Sequence, residues 1–193
     1  MSAPAAAGPL DAAQMQAATA FANAIIASLR LPGGIHPATA IATAARMAGT
    51  YLFRSFGLQV DDVKPGDAVL SRQAAEQEGE LVRTALTVLA RLGMQVTPPE
   101  PETAAQKQNQ PLLPFLRTQP HAERLLLPLR EQHGLTDLQA AHVAAAATAL
   151  LVRQFAKVLD PGIGFSVAAY GFIEGAKTAP APMSAAPRAD GGA

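Results

Sequence analysis

Cysteine and tryptophan are both absent from the 193 residues, and only 16% of the side chains are charged. Without cysteine there is no disulfide framework, thiolate metal site, iron–sulfur ligation or thiol nucleophile. An excess of either charge is missing too: 15 Lys+Arg stand against 15 Asp+Glu, for a formal net charge of zero. Such a chain carries no electrostatic footprint for generic nucleic-acid or anionic-membrane binding. Long apolar runs are also lacking. The nearest, Ala140 to Val152, is about 13 residues long and contains His142, short of the roughly 18–20 that a membrane helix needs. Residues 1–9 lack the basic and apolar regions of a secretory signal, the first basic residue being Arg30. The expectation is a soluble, cytoplasmic protein with neither nucleic acid nor membrane as partner.

Alanine is what the chain has in quantity, 43 residues of it. Alanine is the best helix former and a poor core filler, so the composition points to helices that approach one another closely. At 49% hydrophobic the chain has the means for one ordinary core. The predicted fold class is all-α, a compact bundle of about six helices in a single domain over residues 10–177. Residues 1–9 and the Pro/Ala/Gly-rich stretch 178–193 are expected to be disordered tails. Residues 97–111, TPPEPETAAQKQNQP, read as an internal polar linker.

Helix signals recur along the chain. Asp11 with Gln14 forms a capping box, followed by a stripe of Met15, Ala18, Ala22, Ile25 and Leu29 that stops at Pro32-Gly33-Gly34. His36 is the expected N-cap of a second helix with Pro37 in its first turn, its stripe Ile41, Ala45, Ala48, Leu52 and Phe56 ending at Gly57. A third face runs from Ala74 to Leu92, with Ser71 a plausible N-cap and Ala68–Leu70 either helical or extended. Pro111, Pro114, Pro120 and Pro128 break up the fourth region. A short turn near Leu112–Leu116 and then a helix from Pro120, bent or broken at Pro128, are predicted there. Thr136 with Gln139 is a second capping box, opening the apolar run Leu138–Leu159. A last helix spans Ile163 to Ala176, with Phe165, Ala169, Phe172 and Ala176 on one face. The second and fifth helices should form the core.

A weak repeat links the halves. Leu52-Phe53-Arg54-Ser55-Phe56 matches Leu151-Val152-Arg153-Gln154-Phe155 at an offset of 99, as Asp61 matches Asp160. The match is compatible with two three-helix halves joined through 97–111, although the third segment is much longer than the sixth.

Chemistry is sparse, and no catalytic residues, metal site or cofactor are assigned. GxSxG, HExxH, Ser-x-x-Lys, EF-hand and GxxxxGK[ST] patterns are all missing. His121, Glu123, Glu131 and His133 have the wrong spacing for a bundle metal site and read as a solvated surface. His142 reads as a hydrogen-bonded core histidine. Glu76, Glu78 and Glu80 read as a solvated helix face. Arg54 and Arg153 sit in last turns, placed to favour the helix dipole and to pair with Asp61 and Asp160. Three Pro/Gly turns, at 32–36, 64–66 and 161–164, each lead into a helix, where free N–H groups can hold an anion. The best single candidate for a small anionic ligand is Gly33, Gly34 and His36. Ala45-x-x-x-Gly49 and Gly171-x-x-x-Gly175 mark close helix crossings, within a subunit or between subunits.

Three functions are compatible with these features. The first is a non-enzymatic helical interaction or scaffold module forming a homo-oligomer, a dimer in its simplest form. The second is a binder of a small anionic metabolite at His36. The third is an enzyme of unidentified chemistry using His142 or the Glu76–Glu80 carboxylates.

Overall fold

The capping signals set the helix starts. In the computed structural model, which describes residues 10–57, 63–69, 72–97, 99, 100, 103 and 106–182, six α-helices and one 3-10 turn form, with no named strand among those residues. Helix α1 covers Ala12–Ser28 and α2 covers Pro37–Ser55. Helix α3 covers Arg72–Arg91 and α4 covers Phe115–Gln132. Helix α5 covers Asp137–Phe155 and α6 covers Pro161–Lys177. Both capping boxes are made: Asp11 and Gln14 exchange bonds of 2.7 and 3.1 Å, and Thr136 and Gln139 exchange bonds of 3.2 and 2.9 Å. Of the ends expected to be disordered, 1–9 and 183–193 lie outside the described residues, as does Ser71. Residues 178–182 do not behave as a loose tail: Thr178 pairs with Ala68, Ala179 is buried, and Ala181 is bonded to Gln119 and Arg54. Backbone and side-chain partners from 66–69, α2 and α4 satisfy their polar groups.

Helices α2 and α5 form the centre, as their alanine content requires. Small side chains let neighbours close in from several directions, and α2 is buried from Ala38 through Phe53 without a break. The strongest pairings run between the first three helices and the last three. Helix α1 packs on α5 and α4 on α2; α3 packs on α5 and α6 on α2. The two halves of the bundle are therefore interlocked, neither burying its apolar faces alone.

The small-residue motifs meet each other inside this chain. A Cβ on Gly171 would lie 2.7 Å from Cβ of Ala45, and one on Gly49 would lie 2.5 Å from the Ala176 nitrogen. A Cβ on Gly175 would overlap the Arg46 carbonyl oxygen. The buried face of α6 is thus centred on Gly164, Ala168, Gly171 and Gly175, with Phe172 and Ala176 beside it, while Phe165 and Ala169 are only half-buried.

Two further expectations need correction. Residues 115–132 form one helix despite Pro120 and Pro128. Each proline forfeits one backbone bond, but α4 is held by a buried face of Phe115, Thr118, Gln119, Ala122, Glu123 and Leu126, and that packing outweighs the local penalty. Pro128 itself is exposed. The polar stretch before α4 is not structureless: Lys107–Asn109 form the 3-10 turn, and buried Asn109 donates to the Thr103 carbonyl at 2.8 Å. Ala68, left open as helical or extended, is extended and pairs with Thr178. No single helix among the described residues is long and apolar enough to cross a membrane.

Candidate functional site

Thr39, Thr43, Arg46, Thr50 and Arg54 follow one another along α2 at steps of 4, 3, 4 and 4. That spacing is a polar stripe on one helix face. On a surface helix it would face water, but here it is covered by the start of α4, by α6 and by the segment after α6. Thr39 Oγ1 accepts from the Leu112 N–H at 2.9 Å, and Thr43 donates back to the Thr39 carbonyl. Arg46, 4% exposed, donates from Nε to Glu174 Oε2 at 2.6 Å and from Nη1 to the Leu113 carbonyl at 2.7 Å. One guanidinium therefore joins α2, the entry to α4, and α6.

Arg54 makes the second junction. It forms a two-pronged pair with Glu123, Nε to Oε1 and Nη2 to Oε2, the latter at 2.8 Å, and Nη2 also donates to the Ala181 carbonyl at 2.9 Å. Gln119, fully buried, donates to Glu123 Oε2 at 2.7 Å and accepts from the Ala181 N–H at 3.1 Å. Parallel N–H···O bonds fix both direction and distance, which a single contact would not. Glu123 was expected on a solvated surface and is instead 3% exposed, because α4 turns this face onto α2. Arg54 pairs with it, and Asp61, its anticipated partner, lies outside the described residues. Asp160 spends its carboxylate on capping α6, accepting from the Gly162 and Ile163 N–H groups, while Arg153 is exposed.

Between these junctions Thr50 Oγ1 and the Tyr51 hydroxyl are buried with no hydrogen-bond partner among the described residues. Burial raises the Tyr51 pKa above its ordinary value, and the nearby Glu123 carboxylate adds to the shift. The ring itself packs well: Phe21 lies 6.4 Å away and the Arg130 guanidinium covers it at 5.9 Å. A buried hydroxyl without a partner costs stability, so Tyr51→Phe is expected to raise unfolding free energy by about 1 kcal/mol or leave it unchanged. Urea denaturation of the two proteins checks this; a clear loss would mean that the hydroxyl is hydrogen-bonded in solution.

A second polar group lies between α3 and α5. His142 Nδ1 is 2.8 Å from Thr84 Oγ1, and that hydroxyl also donates to the Glu80 carbonyl at 2.9 Å. With the hydroxyl proton given to its own helix, Nδ1 of His142 is the donor to Thr84. The fold thus brings together the histidine and one of the three glutamates singled out separately in the sequence. Glu78 pairs instead with Lys177 at 2.9 Å and Glu76 with Arg72 at 2.7 Å. Burial lowers the His142 pKa below 6.5, and the Glu80 carboxylate opposes that shift. The folded state then favours neutral His142, so its contribution is complete above pH 6.5 and declines as pH falls below it. His142→Gln is expected to flatten the fall in melting temperature between pH 7 and pH 5; an unchanged slope would assign that fall to other groups.

The anion-site candidates are half-open turns in which several backbone donors, those of Gly34, Gly66 and Gly162 among them, are already engaged. Gly33 and Gly34 are exposed and His36 is half-buried. Gly34 sits at φ 105°, a conformation suited to glycine, and exchanges backbone bonds of 2.9 and 3.1 Å with Leu31. His36 caps α2, its Nδ1 accepting the Thr39 N–H at 3.3 Å with Thr39 Oγ1 3.0 Å away. The Gly66 N–H is given to the Ala179 carbonyl at 2.8 Å. Among the described residues no group of three His, Asp or Glu side chains is placed to hold a metal ion. Comparison with protein-family models, with curated proteins and with solved structures finds no match for this chain.

Proposed function

We propose that this protein is a soluble, cytoplasmic, non-enzymatic helical interaction module that forms a homo-oligomer. The observation that carries the reading is an exposed apolar face around the Arg46 junction. Leu112, Leu113 and Leu116 at the entry to α4 are 66%, 37% and 43% exposed, and Tyr170 and Ile173 on α6 are 66% and 40% exposed. Arg46 ties the two groups, holding the Leu113 carbonyl on one side and Glu174, beside Ile173, on the other. Burying such a face on a second copy removes apolar surface from water without breaking an internal bond. Because the small-residue faces are occupied within the chain, contact between copies has to use another surface, and this one offers the needed side chains.

A small-anion site at Gly33, Gly34 and His36 gains less support, since the Gly34 and Thr39 N–H groups already have acceptors. Native mass spectrometry tests the preferred reading. The wild type is expected as a dimer, and Leu113→Glu with Ile173→Glu as a monomer with an unchanged helical spectrum. A wild type that is monomeric and carries a co-purified anion would favour the second reading instead.

A further inference from the structure

The segment that follows α6 is held as a peptide is held in a binding groove. Its bonds fall on alternate residues. The Lys177 carbonyl accepts from the Val69 N–H at 2.7 Å. Ala179 donates to the Asp67 carbonyl at 2.9 Å and accepts from the Gly66 N–H at 2.8 Å. Ala181 donates to Gln119 Oε1 at 3.1 Å and accepts from Arg54 Nη2 at 2.9 Å. The period of two is that of an extended strand added to an edge. Residues 66–69 supply the first part of that edge, and the Arg54 and Gln119 side chains extend it where the backbone edge ends.

The sequence of the segment, Lys177-Thr-Ala-Pro-Ala-Pro182, matches this pattern residue by residue. Prolines 180 and 182 have no N–H to give and occupy the alternate positions, where none is needed. Alanine occupies both bonded positions, and Ala179 is 6% exposed, so a larger side chain would not fit there without displacing its neighbours. The receiving side chains are themselves bonded to one another. Gln119 and Glu123 are buried, and Glu123 bonds both side chains that hold Ala181, pairing with Arg54 and accepting from Gln119. Polar groups preorganised in this way are characteristic of a recognition site, because little ordering remains to be done on binding.

We propose that the groove lined by residues 66–69, Arg54 and Gln119 is a binding site for an extended alanine–proline segment of a second polypeptide, with residues 177–182 as its built-in competitor. The partner presents alanine at two alternate positions and proline between and after them. A tethered competitor acts at an effective concentration in the millimolar range, so a free peptide binds the wild type weakly until the strap leaves. This inference concerns the groove beneath residues 177–182, which adjoins the apolar face where Gly66 meets Leu116, and does not depend on self-association.

The test uses the full-length chain and a labelled synthetic peptide of residues 177–182, followed by fluorescence anisotropy. In the variant Ala179→Pro with Ala181→Pro the strap has lost both inward N–H groups while the groove keeps every one of its own. That variant is expected to bind the peptide about ten-fold or more tighter than the wild type, and a peptide with proline at both alanine positions is expected not to bind. Equal weak binding to variant and wild type, or binding of the all-proline peptide, would overturn the proposal. Should the variant fail to fold, hydrogen exchange on the wild type decides. The Ala179 and Ala181 amides must exchange through local opening, faster than the amides of α2. If they exchange only with global unfolding, the groove never opens and the proposal falls.

Discussion

Gly175→Ala will lower the unfolding free energy by about 3 kcal/mol or more, toward or beyond the upper end of overpacking costs. The added methyl would overlap the Arg46 carbonyl oxygen and lie against Gly49 Cα at 3.0 Å. Both neighbours are helix backbone, which cannot rotate aside as a side chain can, so α2 and α6 must separate along their contact. Alanine's better helix propensity returns only about 1 kcal/mol. The steric term therefore wins. Gly79 on α3 is the matched control: nothing lies within 4 Å of a Cβ there, and the position is exposed. Gly79→Ala should stabilise by roughly 0.5–1 kcal/mol through propensity alone. Guanidinium denaturation of the two variants gives effects of opposite sign. A neutral Gly175→Ala would mean that α2 and α6 do not cross as closely as described.

Glu123→Ala will cost about 3 kcal/mol, the lower end of the range for breaking a buried ion pair. Glu123 is the well-buried partner, while the Arg54 side chain remains 19% exposed, so solvent moderates the loss on that side. Removing the carboxylate leaves the guanidinium without its two-pronged acceptor and Gln119 Nε2 without its own. Replacing both charges together, Arg54→Met with Glu123→Leu, should cost much less than the single change, since no uncompensated charge is left behind. A double-mutant cycle by urea denaturation measures the coupling. Additive single effects would show that the pair is not formed in solution.

The helix starts were the most legible part of the fold, because a capping box is local chemistry: Asp11 with Gln14 and Thr136 with Gln139 need only three residues of separation to act. The choice of α2 and α5 as the centre followed from the same kind of reading, alanine on every face leaving no surface to give to water. Pro120 and Pro128 misled because their penalty is local, while the packing of Ala122, Glu123 and Leu126 that outweighs it is contributed by helices distant in sequence, α1 and α2. The polar seam was hidden for a related reason. Thr39, Thr43, Arg46, Thr50 and Arg54 are spaced as a helical face, but spacing does not distinguish a face turned to water from one covered by residues 112–123 and 174–181. Glu123 and Arg54 are 69 positions apart, and His142 and Thr84 are 58 apart. No local signal couples them. The glycine and alanine pairs lay between these extremes, since their spacing marked a close crossing without saying whose helix crosses.

That last point bears directly on function, because the small-residue faces that suggested association between copies are used within one. The proposed self-association then rests on Leu112, Leu113, Leu116, Tyr170 and Ile173. Sedimentation equilibrium of the unmodified full-length protein, from about one to about one hundred micromolar, tests this most directly, the upper range covering the micromolar affinities usual for modest interfaces. A monomer–dimer equilibrium within that range is the predicted result. A single species of monomer mass throughout would contradict it.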